Sequence, residues 1–210
     1  MGFLEIIIIF FFLLFSVVIH ECSHGLAAYY NGDDTAKLMG RITLNPLPHI
    51  DPVGTILFPL LLSLIYRAPV LFGWAKPVPV NPFNFRNYER GIFMVGISGP
   101  LSNIFLGVFF CLLYRIFPFS VDVKIYFLYG GYINFVLAFF NLIPIPPLDG
   151  SRVLSAFLPV EIRERYNRIE RFGIFIIMGL AFFGLLHWVF GISKIIADKI
   201  AGVYFRKIIF

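Results

Sequence analysis

The feature that most constrains this chain is an apolar run over Phe3–Tyr30 that contains the pentapeptide His20-Glu21-Cys22-Ser23-His24. At a rise of about 1.5 Å per residue, such a run is long enough to cross a bilayer as one helix. Two histidines four residues apart project from one helical face, about 5–6 Å apart, and can bind one metal ion. The glutamate between them can act as a general base toward water. Ionisable groups at membrane depth are energetically expensive, so the pentapeptide is interpreted as a functional site.

Composition places the chain in the membrane class. Hydrophobic residues make up 59% and charged residues 14% of the 210 residues, whereas a soluble domain has about 25% charged residues. The net charge of +5 comes from basic residues scattered between apolar runs. It is therefore read as a topology signal, and no nucleic-acid partner is expected. The two cysteines, Cys22 and Cys111, lie in apolar segments and predict neither a disulfide framework nor a cysteine zinc cluster.

The apolar runs predict an all-α polytopic membrane protein with about five to six transmembrane segments, forming a single domain over 1–210. The expected segments are about 3–29, 91–117, 125–147 and 172–192, together with a shorter run at 52–66. The shorter run contains Gly54 and Pro59 and fits a re-entrant element better than a simple crossing. Residues 35–50 alternate apolar and polar side chains around Gly40, which predicts a small membrane-associated β-hairpin.

A third metal ligand is expected because a catalytic zinc site takes three protein ligands and an open position. Asp149 is the best candidate, since prolines at 144, 146 and 147 must end or unwind the preceding span. Unwound backbone at membrane depth is tolerated where it lines a cavity within the protein. The alternative for Asp149 is a turn residue before a glycine. His49, which follows two prolines, and His187, near the end of the last span, are weaker alternatives for the third ligand.

A parity argument constrains the topology. If His24 and Asp149 share a metal ion, an even number of crossings separates them, so the short run at 52–66 is not a complete crossing. The opposite loop then holds only Arg115 and Lys124, while most other basic residues lie on the metal side. By the positive-inside tendency, the metal site is expected to open toward the cytoplasm of a multi-pass cell-membrane protein.

Three stretches together resemble the site-2 protease family of intramembrane zinc metalloproteases, peptidase family M50. They are the pentapeptide at 20–24, the segment Ile97-Ser98-Gly99-Pro100-Leu101-Ser102-Asn103, and the segment at 141–150 that ends in Leu148-Asp149-Gly150. With the order of the spans they cover most of the chain. The match is to the compact branch of the family, because no PDZ-like or CBS-like insertion is present.

This resemblance implies one zinc ion per chain, held by His20, His24 and Asp149, with Glu21 as the catalytic base. It implies cleavage of single-span membrane-protein substrates in or near their transmembrane segments. It also implies that Asn141 lies near the active site, where it holds a substrate backbone or orients a ligand. Asn103 is assigned the same two roles, and an interhelical hydrogen bond is the alternative for both asparagines.

The competing hypothesis is a non-catalytic metal-binding membrane protein, either a carrier or a scaffold that binds transmembrane helices. A carrier needs polar residues along a path through the spans, and the sequence offers few of them: Ser98, Asn103, Asn134 and Asn141. A scaffold has no need of Glu21. The sequence therefore favours the protease, and no pattern in it indicates an oligomeric state.

Overall fold

The computed structural model describes residues 3–57, 61, 75–118 and 120–203. The regular elements in these ranges are helical. Short 3₁₀ helices cover Leu47–His49 and Pro82–Asn84, and a π-helical turn covers Pro52–Leu57. The α-helices are α1 (Phe3–Tyr30), α2 (Thr35–Leu38), α3 (Tyr88–Ile116), α4 (Val121–Asn141), α5 (Asp149–Ser155), α6 (Val160–Asn167), α7 (Glu170–Phe182) and α8 (His187–Ala201).

Three of these helices are long and apolar enough to cross a membrane: α1, α3 and α4. Helices α7 and α8 are bent by 75° at a short break and form a fourth span only if they are counted together. The described part therefore holds three or four candidate spans, fewer than the five to six predicted. The run at 52–66, expected to be re-entrant, falls mostly outside the described residues. The all-α polytopic class is consistent with the structure.

The predicted β-hairpin at 35–50 is wrong, because the described residues of this stretch contain no strand. Helix α2 forms instead, and Gly40 ends it in a left-handed conformation at φ 63°. The alternation that suggested a strand does not match burial. Leu38 is 84% exposed, while Arg41 is buried and donates from Nη2 to the carbonyl oxygens of Lys76 and Pro77. An amphipathic strand would instead bury Leu38 and expose Arg41.

Helices α1, α3 and α4 form the core that carries the site. The rings of Phe12 and Phe110 meet edge to face, with centroids 5.0 Å apart. Small residues bring the backbones together elsewhere: a Cβ atom added at Gly131 would lie 2.4 Å from the Cys111 sulfur. Helix α8 adds Ala197 and Ala201 to the same cluster. This close packing fixes the face of α1 that bears the histidines against the middle of α3.

A buried carboxylate, Asp33, connects the end of α1 to the extended segment at 75–81. Its side chain accepts hydrogen bonds from the Thr35 backbone and hydroxyl, from Asn81 N at 2.6 Å and from Asn84 Nδ2 at 2.8 Å. Burial would raise the pKa of the Asp33 carboxyl, but these donors outweigh burial and lower the pKa. The Asp33 carboxylate therefore stabilises the fold just after the end of α1.

We expect Asp33→Asn to destabilise the protein by about 2 kcal/mol at pH 7, because an amide nitrogen cannot accept from these donors. The folded-state pKa lies below the ordinary value of 3.8. The contribution is therefore complete above that value and is lost as pH falls through the folded-state pKa. Denaturant unfolding of both proteins in detergent, from pH 7 down to about pH 3, measures the difference.

The matched control is Asp34→Asn, because Asp34 is exposed and makes no capping hydrogen bond. An equal loss of stability in the control would contradict the assignment. So would a difference between wild type and Asp33→Asn that grows as the pH falls.

Candidate metal centre

The two histidines of the pentapeptide lie one turn apart on α1, and both are buried. Their rings are nearly perpendicular, at 88°, with centroids 4.6 Å apart. The Nε2 atoms of His20 and His24 are 3.0 Å apart. Both rings therefore present the same nitrogen to one point beside the helix.

Asp149 reaches this point from the other side of the core. Helix α4 ends at Asn141, and the proline-containing turn that follows leads to α5, which begins at Asp149. Gly150 allows this start, because a Cβ atom there would lie 2.2 Å from the carbonyl oxygen of Leu142. The Oδ2 atom of Asp149 lies 3.0 Å from Nε2 of His20 and 3.2 Å from Nε2 of His24.

The hydrogen bonds of the ring nitrogens determine where the protons are. Nδ1 of His24 donates to the carbonyl oxygen of Val95 at 2.7 Å, and Nδ1 of His20 lies 2.6 Å from Oδ1 of Asn103. Each ring is thus tied through Nδ1, which leaves the Nε2 lone pair directed at Asp149. Protons on both Nε2 atoms would set two N–H groups against each other at 3.0 Å.

Asp149 supplies negative charge at this point. Its Oδ2 atom is buried and has no hydrogen-bond partner among the described residues. A buried acceptor of this kind calls for a cation.

The three donor atoms fit zinc in type, number and spacing. Two imidazole nitrogens and one carboxylate oxygen form a set that catalytic zinc sites use, and tetrahedral ligands at about 2.0–2.2 Å lie roughly 3.3 Å from one another. Among the residues that the structure describes, His20, His24 and Asp149 form the group that could hold a metal ion.

Gly99 of α3 provides the surface against which both rings lie. A Cβ atom at this position would lie 2.6 Å from His20 Nε2 and 2.6 Å from His24 Cε1. No other residue type leaves this space, so the glycine is part of the site geometry. In the sequence, this glycine stands out only as one residue of the segment at 97–103.

Glu21 lies beside the metal centre and is half-buried. Its Oε2 atom accepts a hydrogen bond from the backbone N–H of Val78 at 2.7 Å. The extended segment at 75–81 therefore orients this carboxylate. Sequence reasoning did not find this contact, because Glu21 and Val78 are 57 residues apart and no pattern pairs them.

The two asparagines named from the sequence differ in their surroundings. Asn103 is fully buried and contacts His20. Asn141 is half-buried and donates from Nδ2 to the carbonyl oxygen of Leu137, in its own helix, at 2.9 Å.

The alternative third ligands lie elsewhere. His49 is buried and donates from Nε2 to the carbonyl oxygen of Thr43 at 2.9 Å. His187 is exposed and donates from Nδ1 to the carbonyl oxygen of Gly184. Neither belongs to the metal-binding group of the described residues.

A cavity of about 200 Å³ is lined by residues that neighbour or hold the three donor residues, and not by the donor residues themselves. Its wall includes Val95, whose carbonyl oxygen holds His24, and Ser151, which follows Asp149 by two residues. Arg152 and Glu170 add charged groups to its lining. The cavity is therefore large and polar enough to hold water.

Two histidines, a glutamate and an aspartate at the core of a bundle of apolar helices define a class of protein, the membrane-embedded metallohydrolases. Comparison with known proteins identifies the family. The family model described as Peptidase family M50 matches residues 118–184. No solved structure matches the chain.

Three relatives are named as zinc metalloproteases. YwhC of Bacillus subtilis is 38% identical over 177 residues, which cover 80% of this chain and 77% of YwhC. Rip2 of Mycolicibacterium smegmatis is 28% identical over 193 residues, or 87% of this chain and 72% of Rip2. MJ0392 of Methanocaldococcus jannaschii is 24% identical over 151 residues, or 72% of this chain and 34% of MJ0392. The chain belongs to peptidase family M50, the site-2 protease family of intramembrane zinc metalloproteases.

We expect Gly99→Ala to reduce zinc affinity by at least about tenfold, because a methyl group at this position displaces both imidazole rings. Alanine favours helix more than glycine does, so α3 itself should remain intact. Competition with a chromophoric chelator on purified protein measures the affinity, and circular dichroism measures the helix content.

Gly191→Ala is the control, because a Cβ atom at that helical position meets no described atom within 4 Å. Unchanged zinc affinity in Gly99→Ala would show that the rings do not depend on this glycine.

Proposed function

We propose that this chain uses one zinc ion, held by His20, His24 and Asp149, to hydrolyse peptide bonds in or near the transmembrane segments of membrane proteins. The observation that carries the proposal is the meeting of three zinc-type donor atoms within 3.2 Å of one another. They meet beside a glutamate, on a helix apolar enough to span the bilayer. Residues 1–210 are proposed to act as one catalytic domain.

Glu21 is the proposed general base. When bound, zinc would lower the pKa of a coordinated water and polarise the scissile carbonyl group. Glu21 takes the proton from the attacking water and delivers it to the leaving amine. The hydrogen bond from Val78 N holds Oε2, which leaves Oε1 for proton transfer.

The depth of the site determines the substrate class. The two histidine ligands lie in the second half of α1, so a peptide that reaches them laterally arrives from the bilayer. A helical segment protects its amides with internal hydrogen bonds, so it must unwind before attack. Single-span membrane proteins are therefore the proposed substrates, and Asn141, at the end of α4, is proposed to hold an unwound backbone.

Water is proposed to reach the site through the cavity of about 200 Å³ next to Val95 and Ser151. The cavity is lined by the start of α3, by α5 and by the α6–α7 region, on the side where α1 ends. This side carries most of the basic residues. By the positive-inside tendency it is the cytoplasmic side of the cell membrane.

Glu21→Gln is expected to bind zinc with wild-type stoichiometry and to lose cleavage by at least about a hundredfold, because an amide cannot accept the proton. Asp149→Ala is expected to lose zinc and cleavage together. Metal analysis of the purified proteins, with a gel assay on a model single-span substrate, separates the two effects.

Glu164→Gln, on the exposed surface of α6, controls for the loss of a carboxylate. Zinc bound without cleavage by wild type across a broad panel of transmembrane substrates would instead favour a metal-binding scaffold.

A single-cysteine experiment tests the orientation. In a Cys22→Ser, Cys111→Ala background, Lys37→Cys samples the side of the metal centre and Val121→Cys samples the opposite side; both positions are exposed. In intact spheroplasts, a membrane-impermeant maleimide is expected to label Val121→Cys. Lys37→Cys should react only after permeabilisation, and the reverse pattern would place the site on the outer face.

A further inference from the structure

We infer that Ser16 and Asn134 are positioning residues that act through Asn103 to fix which nitrogen of His20 carries the proton. All three polar side chains are fully buried, on α1, α4 and α3 respectively. They form a continuous chain of hydrogen bonds that ends at Nδ1 of His20. The inference rests on the proposed zinc site and explains how the protein keeps one ligand ready for the metal.

The direction of the chain is set at its far end by backbone carbonyl groups, which can only accept. Ser16 Oγ donates to the carbonyl oxygen of Phe12 at 2.6 Å, so it accepts from its other neighbour. Nδ2 of Asn134 lies 2.8 Å from Ser16 Oγ and 2.8 Å from the carbonyl oxygen of Gly130. Turning this amide over would place oxygen against carbonyl oxygen, so Oδ1 of Asn134 must face Asn103.

The orientation of the Asn134 amide in turn sets the orientation of Asn103, which contacts His20. Asn103 donates from Nδ2 to Oδ1 of Asn134 at 2.9 Å and also faces the carbonyl oxygen of Ser16 at 3.4 Å. Its Oδ1 atom is left to face His20 and can only accept. Nδ1 of His20, 2.6 Å away, therefore carries the proton, and Nε2 keeps its lone pair.

This control matters because the competing tautomer has an attractive partner. A proton on Nε2 of His20 could be donated to Oδ2 of Asp149, 3.0 Å away, and would occupy the place of the metal. The Nδ1 lone pair would then face the Asn103 oxygen at 2.6 Å in a low-dielectric core. Such a clash of two acceptors is strongly unfavourable there, so the chain opposes this tautomer.

His24 provides an internal comparison. Its Nδ1 donates directly to the carbonyl oxygen of Val95, which no side-chain substitution removes. The two ligands thus reach the same tautomer by different means. Only His20 depends on side chains from three helices.

The test is long-range ¹⁵N–¹H correlation NMR on the metal-depleted full chain in detergent, labelled with ¹⁵N-histidine. The chain has four histidines, and His20→Gln assigns the signal of interest. Wild type is expected to carry the His20 proton on Nδ1. Asn134→Leu frees Asn103 to turn over, so a share of His20 is expected to move its proton to Nε2, while His24 stays unchanged.

Zinc affinity is the second measurement. Asn134→Leu is expected to bind zinc about tenfold more weakly in chelator competition, the lower end of the effect of partners that orient metal ligands. The double variant Asn103→Asp, Asn134→Leu is expected to restore both the Nδ1 proton and the affinity, because a carboxylate accepts whichever way it turns. A merely structural role of Asn134 would not predict this rescue.

Three results would overturn the inference: a His20 proton on Nε2 in wild type, an unchanged His20 in Asn134→Leu, or failure of the double variant to restore it. If Asn134→Leu does not fold, Asn134→Ala, which also removes the acceptor of Asn103 but adds no bulk, is scored by the same two measurements. Failure of the proposed function is distinguishable, since it would leave the tautomer dependence intact in a chain without zinc-dependent cleavage.

Discussion

Three electron-rich atoms, the Nε2 atoms of His20 and His24 and Oδ2 of Asp149, meet within 3.2 Å inside a bundle of apolar helices. The rest of the structure depends on this contact. Without a cation it is repulsive or must trap a proton, and either state is costly where water is scarce. The structure restricts the orientation of both rings. Their Nδ1 atoms are already hydrogen-bonded, and the backbone at Gly99 lies close against both rings. The arrangement thus fits a metal ion held by these three atoms.

The same contact explains why α4 ends where it does. Asp149 must reach His20 at membrane depth, so the chain has to leave helical geometry within the bundle. The turn at 142–148 satisfies its own polar groups: Ile143 and Leu148 donate to carbonyl oxygens of nearby residues, and Tyr166 donates to the carbonyl oxygen of Pro144. Side chains of α8, including Val189, cover the turn. Irregular backbone is stable here because protein, not lipid, surrounds it.

The sequence was informative where chemistry restricts residue types. The pentapeptide predicted two metal ligands, and the expected ligand count together with the proline-rich end of α4 indicated Asp149 as the third. The hairpin prediction failed because the alternation along 35–50 gives the hydrophobicity of each side chain but not its burial. Arg41 is buried because carbonyl oxygens of Lys76 and Pro77, far along the chain, accept its hydrogen bonds. The roles of Gly99 and Val78 could not be read from sequence either, since both depend on contacts between helices. Asn134 carried a signal, as a polar residue within a span, but its partner Ser16 is 118 residues away.

The extended segment at 75–81 connects Glu21 to the hydrogen bonds around Asp33 that stabilise the end of α1. Prolines at 77 and 79 restrict its backbone, and it is held along its length: Lys76 N donates to the carbonyl oxygen of His49, and Asn81 N donates to Asp33. Between these anchors, Val78 N holds Glu21. Helix α1 carries His20, Glu21 and His24, and Asp33 follows its end. The segment therefore contacts the chain of α1 at two points, Glu21 and Asp33. The position of Glu21 therefore depends on contacts at both ends of the segment, and the orientation of the proposed base is a property of the fold around α1 as a whole.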